Sequence, residues 1–291
     1  MRIRGAQHLS LINELEKTRQ IKKPCRPEPV PPVKVRPKKL SVTEIKTLIR
    51  DPYSIYVRRI LKIEPLERLD KFSAYALRGI VYHSIFEKFM VSWHDNADLD
   101  WHIEKLKETA SDIIKVSTSN KILQKFWMKG INDISVSFIN DERKRHQEAT
   151  PIAFEQSGKL IIKDINFEIS GKVDRVDLKK NGAAIIYDYN SGTFPSLKQQ
   201  VSYDKQLYLL SLILQKGGFK GITNFKIDTA YFVPIKPNAK EVQIPTHLES
   251  LEEFELKLGK LLSAYLKPVT GFKARRALFL KEDYSPYCLL Y

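Results

Sequence analysis

The chain has 291 residues, 43% of them hydrophobic and 10% aromatic, so it can bury the core of one large domain and still carry an extension. Its 49 Lys and Arg residues outnumber 34 Asp and Glu residues, and the net charge of +15 favours a polyanionic partner, nucleic acid ahead of a membrane surface. A basic solvated surface is the plainer explanation of the same charge. No stretch approaches the roughly 20 apolar residues of a membrane span, and the N-terminus lacks an apolar signal core, which predicts a cytoplasmic protein.

The first 40 residues are predicted to form an extension ahead of a compact domain over 41–291. Residues 1–20 have the pattern of one short amphipathic helix, and the proline-rich basic segment 21–39 predicts a semi-rigid extended linker. Cys25 and Cys288 are the only cysteines and form no CxxC pair, which argues against a disulfide framework or a zinc site.

The first half of the domain has helical periodicity. Ser41 and Glu44 have the spacing of a capping box, and the helix that they begin is interrupted at Asp51-Pro52 before a second helix resumes. A long helix is predicted over 73–93, and the Lys-rich segment 98–148 is predicted to form helices laid beside the core.

The second half changes to strand patterns. Segments 159–170, 171–178 and 183–189 alternate or run apolar as strands do, and Asn181-Gly182 marks a hairpin between the last two. A helix over 196–215, a strand over 228–235 and a helix over 249–266 follow. This order predicts an α+β or mixed α/β fold with a mainly antiparallel sheet.

The hairpin places two carboxylates at one level of the sheet. Asp174 and Asp188 become cross-strand neighbours if residues whose numbers sum to 362 lie opposite, which needs a three-residue loop, 180–182, with Gly182 left-handed. A two-residue Asn-Gly turn would put them on opposite faces instead. Together with His83 on a nearby helix, the pair offers Mg²⁺ or Mn²⁺ a site. Alternatively, Asp174 pairs with Arg175 or Lys172, and His83 is a core histidine.

Four motifs follow one another along the chain: RGIVYH (78–83), GKVDRVD (171–177), DYNSG (188–192) and QLYLL (206–210). Their order resembles that of the RecB-type PD-(D/E)XK nucleases. The opening segment 41–61 is similar to the C-terminal nuclease region of alphaproteobacterial AddB, the second subunit of the AddAB helicase–nucleases. This resemblance implies a restriction-endonuclease-like core, with a central mixed sheet flanked by helices and a helical insertion. It also implies a DNA substrate, a role in double-strand-break repair and an AddA-like partner subunit.

The resemblance also implies roles for single residues. His83, Asp174, Asp188 and the backbone carbonyl of Tyr189 match the ligands of Mg²⁺ or Mn²⁺, and Gln206 matches the glutamine that orders the site and the DNA. The four-cysteine iron–sulfur cluster of some AddB branches is not expected, because the chain has two cysteines.

Asn190 departs from the family pattern, which has a lysine that orients the attacking water and stabilises the transition state. Losing one such group typically slows a reaction by roughly 10²–10³. Lys172 lies across from Asn190 in the predicted register and is a candidate replacement, and Lys205 is a weaker one. Three alternatives follow: a metal-dependent DNA nuclease, a catalytically disarmed DNA-binding module, or a remnant of a decaying gene.

Overall fold

A computed structural model gives the architecture of the chain. It describes residues 8–12, 14, 25–64, 74–190, 192, 194–236, 240–246 and 249–275, apart from the side chains of 74–76. The predicted N-terminal helix therefore lies largely outside the described residues, as do Cys288, Ser191 and Thr193.

Eight helices organise the described part of the domain. The first helix is interrupted at Pro52, as predicted, and after Ile55 the second continues as a π-helical turn over Tyr56–Ile60. The bounds are Val42–Arg50 (α1), Pro52–Ile55 (α2), Ala74–Val91 (α3), Leu99–Ser117 (α4), Lys121–Glu148 (α5), Leu197–Ser202 (α6), Gln206–Gln215 (α7) and Leu251–Tyr265 (α8).

The strands form one mixed sheet, as the family resemblance implies. The bounds are Lys39–Ser41 (β1), Ala149–Ile162 (β2), Phe167–Lys179 (β3), Ala183–Asn190 (β4), Lys226–Pro234 (β5) and Val242–Gln243 (β6). The strand order is β1-β3-β4-β5-β6, and β2 also pairs with β3. The β1–β3 and β4–β5 pairs are parallel, whereas β2–β3, β3–β4 and β5–β6 are antiparallel.

Helices cover both faces of the sheet, and each face has its own apolar core. Ile186 of β4 packs in the core that α1, α7 and α8 share, whereas Ile185 packs in the core of α3, α4 and α5. A strand that is buried on both faces has a continuous run of apolar residues. This explains why apolar and polar residues do not alternate in AAIIYDY of β4. Helices α4 and α5 form the predicted helical insertion.

The start of α1 is fixed by the predicted capping box. The Ser41 hydroxyl accepts a hydrogen bond from the Glu44 amide at 3.2 Å, and the Glu44 carboxylate accepts one from the Ser41 amide at 2.9 Å. Because Ser41 also ends β1, the cap joins the sheet directly to α1.

Three predicted elements differ from the structure by more than a shift of one or two residues at an end. Strand β2 begins at Ala149, ten residues before the predicted start. The predicted strand 159–170 is divided by a turn at Lys163–Asn166, where Asn166 has a left-handed φ of 47°. The predicted helix 196–215 is two helices, because Tyr203, with a φ of −150°, leaves the helical conformation between them.

The proline-rich segment packs on the domain at its described end. The guanidinium of Arg36, only 4% exposed, donates to the carbonyls of Tyr265 and Lys267 at 2.7 and 2.9 Å. The Phe272 amide donates to the Pro29 carbonyl at 2.8 Å. Within the described residues, no helix combines the length and apolar character needed to cross a membrane.

Candidate active site

The β3–β4 hairpin has the predicted register. Arg175 lies opposite Tyr187 and Leu178 opposite Ala184, so the paired residue numbers sum to 362. Gly182 in the loop has a φ of 79°, in the left-handed region, where a side chain would be strained. The even spacing of Asp174 and Asp188 therefore predicted the register correctly.

The β3–β4 ladder ends one pair before Asp174 and Asp188, where the two strands part. In that gap, the Tyr189 amide donates to Asp174 Oδ2 at 2.8 Å, so a side-chain oxygen takes the place of a strand carbonyl. Asp174 and Asp188 thus stand on either side of a fork between two interior strands rather than in a regular ladder pair. The sequence spacing of Asp174 and Asp188 does not predict that the Tyr189 amide bonds to a side chain instead of a strand carbonyl.

His83 of α3 reaches the fork and meets two carboxylates. Its Nε2 lies 3.0 Å from Asp174 Oδ2, and its Nδ1 lies 3.0 Å from Glu155 Oε1. One ligand atom from each of the three residues lies within 4.8 Å of the others, the geometry of a cation site. His83 and Asp174 were predicted from the sequence, whereas Glu155 was missed.

The backbone conformation of Glu155 is unusual. It explains both why the carboxylate reaches the site and why the sequence did not predict this residue there. It lies on β2, where the sequence was not read as a strand, and its φ of 50° is in the left-handed region. Such a conformation is uncommon for glutamate and is found at functional sites. The kink in the backbone interrupts the alternation of side chains between the two faces of β2, and the Glu155 carboxylate turns towards His83. No periodic pattern in the sequence marks this position.

The carboxylates keep His83 protonated when no metal competes. Its pKa is raised to about 10, first by the hydrogen bond to Asp174 and then by the one to Glu155. The pKa of Glu155 remains below its usual value, because hydrogen bonds from His83 and Lys172 outweigh its burial. A proton on His83 therefore supplies positive charge where a divalent cation would otherwise sit.

Asp188 is the buried carboxylate of the site, with 7% of its surface exposed. Burial raises its pKa well above the ordinary value, and the charge of Asp174 raises it further. Gln206, the first residue of α7, donates to Asp188 Oδ1 at 2.7 Å. A bound cation would provide the positive charge that compensates this buried carboxylate.

Neither lysine candidate occupies the place of the family's lysine. The ammonium of Lys172 forms an ion pair with Glu155, so it is drawn towards the neighbouring strand and not across to Asn190. Lys205 is 5% exposed and pairs with Glu249 at 2.6 Å, which removes it from the site. The Asn190 side chain accepts a hydrogen bond from the Gly192 amide at 2.7 Å, a turn-forming contact.

A buried ionic network supports the fork from the side of α5. Arg175 and Tyr189, each one residue beyond a site carboxylate, both contact Glu142 of α5, which is fully buried. The Tyr189 hydroxyl donates to Glu142 Oε1 at 2.8 Å, and Arg175 donates to that hydroxyl oxygen at 3.1 Å. Arg175 also donates to both oxygens of Asp177 at 2.6 Å. The network holds β3 and β4 together where the ladder ends.

The donor set fits a divalent cation that prefers oxygen. Asp174 contributes a carboxylate and His83 an imidazole, the buried Asp188 adds a further carboxylate, and Glu155 lies in the same cluster at the other nitrogen of His83. Carboxylate-rich sites suit Mg²⁺ and Mn²⁺. The residues present are therefore compatible with the divalent metals that PD-(D/E)XK nucleases generally use.

Comparisons with known proteins agree with this geometry. The profile of the PD-(D/E)XK nuclease superfamily matches residues 39–288. An uncharacterized protein of Rickettsia bellii is 27% identical over 250 residues, which cover 79% of this chain and 30% of that protein. An uncharacterized protein of Rickettsia conorii is 25% identical over 261 residues, covering 79% and 31%. The chain thus spans about a third of the length of these relatives. By the extent of the profile match, the chain belongs to the PD-(D/E)XK nuclease superfamily.

Proposed function

We propose that the chain is a metal-dependent deoxyribonuclease that hydrolyses phosphodiester bonds at the fork of β3 and β4. The observation that carries this proposal is the convergence of His83, Glu155 and Asp174 within 4.8 Å, beside the buried Asp188. Two strands and a helix contribute the three converging groups, so the cluster is built by the tertiary fold and not by a run of acidic residues.

Each residue of the site has a distinct role in this proposal. His83, Asp174, Asp188 and the carbonyl of Tyr189 hold Mg²⁺ or Mn²⁺, and Gln206 fixes the orientation of Asp188 through its 2.7 Å hydrogen bond. When bound, such a cation activates water and neutralises charge on the phosphodiester. Glu155 holds His83 from its other nitrogen, which sets the direction of Nε2 towards Asp174.

Lys172 is the cation that we assign to charge stabilisation, acting from beside Glu155 and not from the place of Asn190. Its ion pair with Glu155 places it one side chain away from His83, and it remains 55% exposed. A long flexible ammonium can exchange the carboxylate for a phosphate oxygen when DNA binds. Asn190 contributes at most one amide donor.

A DNA-binding module without catalysis is the second candidate. Two observations favour it: Asn190 is tied to the Gly192 amide, and Lys172 is tied to Glu155. The net charge of +15 supports DNA binding in either case. Affinity is then expected to fall steeply with salt, because phosphate contacts release counterions.

An AddAB-type assembly is the cellular context that we propose. The support is the likeness of segment 41–61 to the nuclease region of AddB. In this proposal an AddA-like subunit is the partner, break repair in the cytoplasm is the process, and the relatives' greater length leaves room for further domains.

Cleavage of supercoiled and linear DNA in Mg²⁺ or Mn²⁺ tests the proposal with four proteins. Wild type is expected to cleave, Asp188→Asn is expected to be inactive, and Lys172→Ala is expected to lose roughly 10²–10³ in rate. Asn190→Lys is expected to be at least as active as wild type. If wild type is inert and Asn190→Lys cleaves, the chain is a disarmed module. If both are inert while DNA binding persists, the nuclease proposal fails.

A further inference from the structure

The end of the α4–α5 pair where the two helices connect, residues 113–132, combines positive charge with exposed apolar side chains. This segment, which we call the helical tip, contains four lysines and no aspartate or glutamate. Val116 is 90% exposed, Ile122 78% and Phe126 58%. Ile122 and Phe126 lie on one face of α5, since residues four apart on a helix are neighbours. Apolar side chains grouped on a charged surface are typical of an interaction site.

Most of the positive charge of the helical tip has no carboxylate beside it. Within the part of the chain that the structure describes, Lys115, Lys121 and Lys125 are exposed and form no ion pair, whereas the fourth lysine, Lys129, pairs with Asp133 at 2.6 Å. The like charges of the three lysines repel one another. A polyanion that binds here removes this repulsion, and the counterions that it releases add to the affinity.

Helix α5 connects the helical tip with the proposed active site. Sixteen residues after Ile122, the ring of Phe138 lies with its centre 6.3 Å from that of Tyr189, the residue that follows Asp188 at the fork. At a rise of about 1.5 Å per residue, Ile122 lies about 24 Å along α5 from the level of Tyr189. Duplex DNA rises about 3.4 Å per base pair. A duplex that runs from the fork along α5 therefore reaches the tip after about seven base pairs.

Duplex DNA fits the side chains of the helical tip better than other polyanions do. Proteins that bind the minor groove combine lysine or arginine with exposed phenylalanine, isoleucine or leucine side chains that press on the base steps. An anionic membrane surface matches the charge as well. The tip, however, is the end of the helix whose middle packs against Tyr189, so the ligand of the fork is the ligand that lies within reach of the tip.

We propose that the helical tip is a second contact surface for duplex DNA, about seven base pairs from the phosphodiester at the β3–β4 fork. Lys115, Lys121 and Lys125 contact phosphates, and Ile122 and Phe126 contact the minor groove. The inference rests on the proposed function for the identity of the ligand. It specifies that the substrate has a double-stranded segment beside the bond that is cleaved.

Binding of the full chain to a labelled duplex of about 20 base pairs, measured in EDTA by fluorescence anisotropy, tests the proposal without catalysis. The double variant Lys115→Gln/Lys125→Gln is expected to lower the log–log salt slope by about 1.8, since each phosphate contact contributes about 0.9. Its affinity in about 0.1 M salt is expected to fall at least tenfold. The matched control is Lys216→Gln/Lys260→Gln, which removes two exposed lysines at α7 and α8, the helices of the other face of the sheet.

The length of the duplex tests the distance between the two surfaces. DNA hairpins with stems of about six, twelve and twenty base pairs are compared in the same buffer. Wild type is expected to gain affinity steeply between the first two stems, because only the longer one spans the fork and the helical tip. The double variant is expected to lack most of this gain, and the control variant is expected to keep it.

Phe126→Ala separates apolar contact from charge. It is expected to weaken binding of the twenty-base-pair stem about threefold or more and to leave the salt slope unchanged, because no charge is lost. Vesicles of phosphatidylserine and phosphatidylcholine test the membrane alternative by co-sedimentation. Wild type and the double variant are expected to bind them equally weakly. Circular dichroism confirms that each variant is folded.

Three results overturn the inference. The first is an affinity and a salt slope of the double variant equal to those of the control variant, and the second is the same loss of affinity for the shortest and the longest stem. The third is vesicle binding that depends on the helical tip while DNA binding does not. Failure of the nuclease proposal is distinguishable: a wild type that binds duplex through the tip but never cleaves keeps this inference, whereas a wild type that cleaves while the tip variants bind normally keeps only the nuclease.

Discussion

Replacing Glu142 by glutamine is expected to destabilise the protein by about 3 kcal/mol. Glu142 is fully buried and contacts Arg145, Arg175 and the Tyr189 hydroxyl. Glutamine has the same shape but lacks the charge, so two buried guanidinium groups lose their shared carboxylate.

The expected loss of stability depends on which carboxylates remain paired with Arg145 and Arg175. Breaking one side of a buried ion pair typically costs about 3–5 kcal/mol. Arg175 retains Asp177, and Arg145 retains Glu241, which places the expected loss at the lower end. Burial raises the pKa of Asp177 to about 6, with the charge of Glu142 as a smaller cause. Without that charge Asp177 stays ionised to lower pH, which limits the loss further.

Urea unfolding at neutral pH measures this loss, and Asp141→Asn is the matched control. Asp141 is the neighbouring residue on α5, and its ion pair with Lys144 is exposed, so its loss should stay within about 0.5 kcal/mol. Because the network holds the residues that follow Asp174 and Asp188, we also expect Glu142→Gln to bind Mn²⁺ about tenfold more weakly. A loss below about 1 kcal/mol, or a loss equal to that of Asp141→Asn, would refute this account of the network.

The remaining predictions concern the pH dependence of stability and three glycines. The pKa of His83 is raised to about 10, so its contribution is complete below pH 6.5 and is lost as pH rises from 6.5 to 10. Metal-free wild type should lose about 1–2 kcal/mol across this window, allowing for solvent screening, and His83→Gln should not. Gly182→Ala should cost about 1–2 kcal/mol, because its φ is 79°, and Gly182→Asn less. Gly158→Ala should cost about 1–3 kcal/mol, since its Cβ would overlap the Phe219 ring. Gly259→Ala, which meets open space in α8, should stabilise by about 0.5–1 kcal/mol, and thermal unfolding checks all three glycines.

Local chemistry made much of the fold predictable. The capping box at Ser41 and the break at Pro52 each depend on a few adjacent residues, and both are present. The hairpin register followed from Gly182 and the even spacing of two carboxylates, because the side-chain period of a strand is two.

The parts that sequence reasoning missed depend on tertiary contacts. Glu155 enters the site through a left-handed backbone on a strand whose first ten residues show no clear alternation. Lys172 pairs with Glu155 because that carboxylate attracts its ammonium. The spacing of residues in the sequence does not predict this partner. Arg36 holds the proline-rich segment against the domain through carbonyls that lie more than 200 residues away in the chain.

Calorimetric titration of metal-free protein with Mn²⁺ at pH 7, in two buffers of different ionisation enthalpy, tests the metal site most directly. Binding must displace the proton that Asp174 and Glu155 hold on His83, and it favours ionised Asp188. We expect one bound ion, about one or more protons released per ion, and loss of binding in Asp174→Asn. No binding by wild type, or binding without proton release that Asp174→Asn retains, would contradict a metal centre at the fork.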